Sequence, residues 1–303
     1  MVRHVNELLL ALGSGFAYMG KEYLLSVAGK EHFTDLLFYN TLNDMLGAII
    51  GDIVGSRWEF NPTNDYDFEW LSKKNGFTDD TICTVAVADA LLHGRDFGES
   101  IHDWCNRYPH PMGGYGGRFD QWVHSENPLP YNSFGNGAAM RVSPVAHWFD
   151  TLDEVLDAAA ATAIPSHNHD EGIKGAQTVA MVIFKALQYG HEAPLYINNI
   201  LEECLLFSGY DLDIRRADVV NRFDETCQGT VPVALWIISD STSFEDAVRK
   251  AVSLGADADT LGAIVGSISE AIWGIPKEIE QSIISFLTEE MKEVVEEFYK
   301  RIS

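Results

Sequence analysis

Taken as a pattern of apolar and polar positions, the chain changes character near residue 45. Before that point the pattern is mixed. A short helical stretch, VNELLLALGSGFA, leads into two segments, KEYLLSVAG and HFTDLLFYN, with the period of two that marks strands. From Met45 onward apolar residues recur at three- and four-residue intervals, and strand-like alternation is scarce. Ala- and Leu-rich segments near 79–93, 151–163, 172–189, 230–239, 244–254, 258–273 and 276–302 predict helices. Stretches rich in Gly, Pro and Asn, namely YPHPMGGYGGRF, ENPLPYNSFGNG, IPSHNHDEG and FDETCQGTVP, predict long loops between them. There is no internal repeat and no low-complexity linker. The expectation is one all-α domain of about 260 residues, with function carried on its loops.

Two details of the pattern point to chemistry. In FTDDTICTVAVADALLHG, residues 77–94, Asp79 and Asp80 stand side by side between Thr78 and Thr81, directly before an apolar helical run that Gly94 closes. Capping alone accounts for acids in a first turn. The segment GADADT repeats the arrangement, with Asp257 and Asp259 flanking Ala258 and followed by Thr260. Gly47, Gly51 and Gly55 fall four apart on one predicted helix, and Gly262 and Gly266 do so on another. Glycine weakens a helix by about 1 kcal/mol, so two smooth stripes suggest two helices packed backbone to backbone. If the two acid clusters also face each other, at least four carboxylates share one pocket. Such a group has to be protonated or neutralised, and hard cations such as Mg²⁺ or Mn²⁺ do the latter with oxygen ligands.

Composition narrows the classes. With 303 residues, 46% of them apolar, a sizeable core is available, and the formal net charge of -24 argues against general nucleic-acid binding. A small anion remains acceptable where metal ions offset the charge locally. Cys83, Cys105, Cys204 and Cys227 show no CxxC spacing and read as reduced thiols of a cytoplasmic protein. The opening MVRHVNELLLALGSGFA has too short an apolar core, with Glu7 just before it, to read as a secretory signal. MLGAIIGDIVG is the most apolar run, and Asp52 interrupts it well short of a membrane span.

Five motifs in register, GAIIGDIVGSRWEF, FTDDT, SFGNGAAMRVSP, SHNHDEGIKGA and GADADTLGAIVGSISEAIWG, closely resemble the ADP-ribosylglycohydrolase family, typified by the dinitrogenase reductase-activating glycohydrolase. The resemblance covers nearly all of 45–280 and implies a compact, orthogonal all-α bundle holding two divalent cations, Mg²⁺ or Mn²⁺. It places metal ligands at Thr78, Asp79, Asp80, Asp257, Asp259 and Thr260, and a gating or catalytic acid at Glu59. It assigns the diphosphate and distal ribose to Ser133, Phe134, Gly135, Asn136, Gly137 and Met140, with His167 close by. Tyr115 and Gly116 resemble an adenine-side loop. One position departs: Gly255-Ala256-Asp257 stands where the family has Gly-Gly-Asp, and a need for positive φ at Ala256 would displace Asp257. Residues 1–44 resemble the start of a PD-(D/E)xK-type nuclease core, a small α+β extension with Asp35 as its first metal acid. The acid-x-Lys strand that should follow is missing, so this segment reads either as a fused or truncated remnant without nuclease activity or as an ordinary N-terminal extension.

The implied reaction is hydrolysis at the anomeric carbon of an ADP-ribose attached to a protein, a nucleic acid or a small molecule. An oxocarbenium-like state suits a negatively charged site, and Glu59 or Asp79 takes the proton from water. Backbone amides around Gly135 and Gly137 are the expected diphosphate donors, on a chain read as a monomer without membrane contact. Arg141 either binds phosphate or pairs with an acid inside the fold. Trp104, Trp122 and Trp148 read as core, and Cys227 receives no chemical role. Two other readings stay open: a relative that binds ADP-ribose without turnover, which should have lost ligand acids, and a metal-dependent phosphohydrolase, separable by its product.

Overall fold

The computed structural model describes residues 45–302, and the expectations for residues 1–44 lie outside them. The described residues form α-helices joined by loops and short 3-10 turns, with no strand and a single isolated β-bridge between Gly135 and Thr226. In chain order the helices are α1 (Leu46–Gly55), α2 (Asp79–His93), α3 (Phe97–Arg107), α4 (Gly117–Val123), α5 (Gly137–Met140), α6 (Ser143–Trp148), α7 (Leu152–Ala163) and α8 (Asp170–Tyr189). They continue as α9 (Ile197–Ser208), α10 (Arg216–Val219), α11 (Cys227–Ser239), α12 (Phe244–Val252), α13 (Ala258–Trp273), α14 (Lys277–Ile283) and α15 (Glu289–Ile302).

The centre of the fold is the antiparallel-stripe contact between α1 and α13, both buried along their length. A Cβ added at Gly51 would meet the Gly262 carbonyl oxygen at 1.9 Å, and one at Gly266 would meet the Gly47 oxygen at 2.1 Å. Only hydrogen atoms fit there, which is why the glycine stripes coincide with the closest helix approach. The start of α1 is capped from its partner helix. The buried Glu270 carboxylate of α13 accepts from the amides of Met45 (2.9 Å), Leu46 (3.2 Å) and Gly47 (2.9 Å). Three amides that lack intrahelical partners are thereby satisfied by one side chain 223 to 225 residues away.

Around this pair pack α2, α8, α11 and α12, burying aliphatic side chains such as Ile50, Ile53, Ile264 and Ile268. Each such burial is worth about 1.5–3 kcal/mol. Helix ends follow ordinary capping chemistry. Thr78 caps α2 by accepting from the Asp80 amide, and Gly94 closes it at φ 61. Asp96 caps α3, Thr151 caps α7 and Ser243 caps α12.

Three expectations need correction. FDETCQGTVP is not loop throughout, because Thr226 caps α11 and the helix begins at Cys227, with Pro232 inside it. The single helix expected over 276–302 is two, since Thr288 interrupts it and accepts from the Met291 amide at 3.4 Å as α15 begins. The helices α3 and α9 lie where no helix was expected. Trp104 and Trp122 are buried as expected, and Trp148 is partly so.

Candidate active site

The α1–α13 contact sets the site, because each helix brings an acid to the same end of it. Asp52, on α1, is fully buried. Its Oδ2 accepts from the amides of Thr78 (3.0 Å) and Thr81 (3.1 Å) and from the Thr81 hydroxyl, and its Oδ1 accepts from the Thr78 hydroxyl at 2.8 Å. Asp52 thus ties the start of α2 to α1. Since Thr78 and Asp52 do the capping, Asp80 is released to face inward. The Thr78 hydroxyl lies 3.1 Å from Asp80 Oδ2, and the Thr260 hydroxyl reaches the same oxygen at 3.3 Å from 180 residues away.

The start of α13 is shaped by a loop that can turn only at a glycine. Gly255 has φ 69, and a Cβ there would strike Asn221 Oδ1 at 2.4 Å. Ala256 is outside the left-handed region, so the departure from Gly-Gly-Asp puts no strain on Asp257. Asp257 occupies the N-cap of α13 without using its carboxylate as a cap. Its Oδ2 instead accepts from Asn136 Nδ2 at 2.7 Å, which joins the acid cluster to the glycine loop. Glu59 follows the 3-10 turn Ser56–Trp58 at the end of α1, under Gly113, where an added Cβ would meet Glu59 Oε2 at 2.5 Å.

Two groups of acids result, each with oxygens within 4.8 Å of one another: Asp52, Asp80 and Asp259, and Glu59, Asp257 and Asp259. Asp259 belongs to both. Burial, opposed by the bonds from Thr81 and Thr78, raises Asp52 to about 6. Burial and then the Asp257 charge raise Glu59 to about 7. Asp257 rises to about 6 by burial, against the Asn136 bond. Asp80 is pushed well up by burial and by Asp52 and Asp79, and Asp259 by burial and by Asp257 and Asp80. Asp79 is also pushed well up, by burial and then Cys83 and Asp52; it faces the cleft but is in neither close group.

Crowded carboxylates of this kind suit a hard cation. Asp80 Oδ1, Asp259 Oδ1 and Glu59 Oε2 are buried with no hydrogen-bond partner among the described residues. An all-oxygen donor set with three bare oxygens fits a divalent cation such as Mg²⁺ or Mn²⁺. Asp52, engaged by four donors, is better placed to orient Thr78 than to give up its bonds.

From the acids a cleft of about 530 Å³ extends along the glycine loop. Its walls include Glu59, Asp79, Asp257, Asp259 and Thr260, then Tyr115, Gly116, Ser133, Phe134, Gly135, Asn136, Gly137, Met140 and His167. Of the residues singled out in the sequence, Thr78 and Asp80 are buried behind that surface. The Tyr115 ring lines the cleft, but its hydroxyl is used inward, donating to the carbonyls of Tyr108 (2.8 Å) and Cys105 (3.0 Å). The amides expected to hold a diphosphate are partly spent. The Gly135 N–H donates to Ser133 Oγ at 3.1 Å, and the Asn136 N–H donates to the Glu225 carbonyl at 2.7 Å. Donors on this wall therefore come more from side chains: His167, Arg118 and Arg141 all line it. Cys227 is structural, with its thiol 3.1 Å from the Gly135 carbonyl oxygen and pushed up to about 12 by burial.

Sequence reasoning missed Asp52, Arg118 and the placement of Arg141. For Asp52 a signal existed: one carboxylate in an otherwise apolar, glycine-striped helix is costly unless donors meet it.

Comparison with known proteins shows the family of the chain and supports its fold. A family model described as ADP-ribosylglycohydrolase matches residues 40–303, and one described as YhcG PDDEXK nuclease domain matches residues 1–50. The ADP-ribosylhydrolase ARH3 of Xenopus tropicalis is 23% identical over 76% of this chain and 86% of its own. The ADP-ribosylarginine hydrolase Tri1 of Pseudomonas putida is 24% identical, over 76% of this chain and 70% of its own. A solved structure described as an ADP-ribosylglycohydrolase-related protein complex aligns with a TM-score of 0.64 at 25% identity, covering 87% of this chain and 98% of that one.

Proposed function

Since this chain belongs to the ADP-ribosylglycohydrolase family, we propose that it hydrolyses the glycosidic bond of an ADP-ribosylated substrate and releases ADP-ribose. The observation that carries the reading is the shared cleft: two acid groups joined by Asp259 at one end, and the glycine loop from Ser133 to Met140 along the wall. The size of that cleft, about 530 Å³, suits a ligand of nucleotide dimensions.

In this reading Thr78, Asp79, Asp80, Asp257, Asp259 and Thr260 hold two divalent cations, Mg²⁺ or Mn²⁺, and Asp52 orients Thr78. Such cations supply a grip on the vicinal ribose hydroxyls and lower the pKa of a bound water. Glu59 is the general base. It stands beside those acids with a bare Oε2 and can take a proton from the attacking water. The water oxygen bonds to the anomeric carbon as the glycosidic bond breaks, and the departing acceptor takes up a proton. Asp257 and Asp259 are the acids grouped with Glu59 at the reacting end of the cleft. Asn136 keeps Asp257 facing that point. Ser133, Phe134, Gly137, Met140 and His167 receive the diphosphate and distal ribose, and Tyr115 and Gly116 the adenine side.

The name of one relative specifies arginine as the acceptor and that of the other specifies none, so the test uses a panel. ADP-ribose release is measured from substrates ADP-ribosylated on arginine, serine and nucleic-acid ends, with Mg²⁺, Mn²⁺ or EDTA. Release that stops in EDTA and in Asp259→Ala, with the helical circular-dichroism signal retained, is expected. Full turnover in Asp259→Ala, or inorganic phosphate or a nucleoside monophosphate as product, would overturn the reading.

A further inference from the structure

Arg141 stands in the glycine-loop motif and lines the cleft wall, yet its side chain is buried and most of its donors meet no partner there. The sequence left two roles open, phosphate binding or pairing with an internal acid. Among the described residues it pairs with no acid. Arg141 is 0% exposed. Its Nη2 donates to the Thr162 carbonyl at 2.8 Å and to Ser166 Oγ at 3.0 Å. Nε and Nη1 have no hydrogen-bond partner among the described residues, and the neighbouring Cys83 thiol is only a weak acceptor. A guanidinium does not deprotonate in a protein, so this is a buried positive charge without a counter-ion among the described residues, at the wall of the cleft.

The contact with Ser166 carries the consequence. A serine hydroxyl has one proton to give and two lone pairs. Arg141 occupies one lone pair, and the other polar neighbour of Ser166 Oγ is His167 Nδ1 at 2.8 Å. Among these contacts the hydroxyl proton has one acceptor, Nδ1. An imidazole that accepts at Nδ1 carries its proton on Nε2. That nitrogen faces the glycine loop, where a Cβ on Gly137 or Gly135 would come within 3.1 or 3.3 Å of it. The rings of Phe119 and Tyr131, with centroids 6.1 and 6.0 Å from that of the imidazole, flank it. Burial, and then Arg141 and Arg118, hold the imidazole pKa well below its usual value, so it stays neutral.

We propose that Arg141 is a positioning residue that acts through Ser166 to hold His167 as an Nε2–H donor, aimed between Gly135 and Gly137 at a phosphoryl oxygen of a nucleoside-diphosphate substrate. The opposite tautomer would turn a lone pair toward an anion. The proposal rests on the reading of this wall as the diphosphate site. It also supplies a donor where the Gly135 and Asn136 amides are already used.

The test uses the full chain labelled with ¹⁵N-histidine. Long-range ¹H–¹⁵N spectra at pH 7, assigned with His167→Gln, report the His167 tautomer in the parent, Ser166→Ala and Arg141→Lys. Calorimetry gives the Kd for ADP-ribose in each. The parent is expected to hold the neutral Nε2–H form. Ser166→Ala is expected to populate both tautomers and to weaken ADP-ribose binding about tenfold. Arg141→Lys should move both readouts the same way; if it does not fold, Ser166→Ala decides alone. An Nδ1–H form or an imidazolium in the parent, or a Ser166→Ala variant with parental tautomer and Kd, overturns the proposal. If the parent binds no ADP-ribose, the diphosphate site falls with it. The tautomer in the parent and in Ser166→Ala then still decides whether Arg141 and Ser166 set the state of His167.

Discussion

Replacing Gly51 by alanine tests whether the α1–α13 contact governs both fold and site. The added Cβ would lie 1.9 Å from the Gly262 carbonyl oxygen and 2.3 Å from its carbon. Ordinary contact starts at 3.4 Å. The shortfall of about 1.5 Å falls between backbone atoms, which have no rotamer to change. The helices therefore part or slide along their whole contact, where a gap of about 0.5–1 Å already forfeits a quarter to a half of the dispersion attraction. Strain and lost contact are expected to cost at least about 3 kcal/mol, against about 1 kcal/mol gained from helix propensity. The net loss is about 2 kcal/mol or more. Urea unfolding of the parent and Gly51→Ala measures it, with Gly117→Ala as control, because nothing lies within 4 Å of a Cβ there. The control should change stability by less than about 1 kcal/mol. A second readout follows from what the helices carry. Asp52 rides on α1 and Asp259 on α13, so Gly51→Ala should also weaken Mn²⁺ binding, measured by calorimetry. A Gly51→Ala protein within about 0.5 kcal/mol of the parent would refute the argument, since no relaxation that small removes a backbone overlap of this size.

In EDTA, stability should fall as pH rises from about 4 to about 7. The folded protein holds Asp52 and Asp257 near 6 and Glu59 near 7, above their ordinary values of 3.8, 3.8 and 4.5, so it binds more protons than the unfolded chain across that window. A metal-free Tm higher at pH 8 than at pH 5 would contradict this, and saturating Mn²⁺ should flatten the fall. Gly255→Ala should damage Mn²⁺ affinity and stability, through positive φ and the clash with Asn221, whereas Ala256→Gly should leave Mn²⁺ affinity within about twofold. Equal effects of the two would show that the strain lies elsewhere. Glu270→Gln should cost about 2 kcal/mol or more in urea unfolding, because an amide NH₂ would be forced against backbone donors at the start of α1. A Glu270→Gln protein of parental stability would remove Glu270 from that role.

What could be read from the chain was what neighbours in sequence decide. Thr78 and Gly94 bound α2 as their capping chemistry predicts, because the groups that cap a helix lie within a few residues of the amides and carbonyls they meet. The glycines four apart on α1 and α13 announced a close approach, since spacing on a helix fixes which face they share. The acids of FTDDT and GADADT stood out for the same local reason. The loop expectation failed at residues 227–232, where Thr226 and burial outweigh the glycine and proline signals.

Tertiary structure decided how those pieces act on one another. The spacing of Asp79 and Asp80 gave no indication that Asp52 would hold Thr78 and Thr81 and leave Asp80 to meet Asp259 and Thr260. Nor did it show that Gly135 and Asn136 would spend their amides on Ser133 and Glu225, or that Arg141 would be buried against Ser166 without an acid. Periodicity and capping are short-range and survive in the sequence as patterns. Whether a carboxylate is neutralised, bonded or bare depends on atoms brought within a few ångströms by the α1–α13 contact, and that distance is a property of the packed fold.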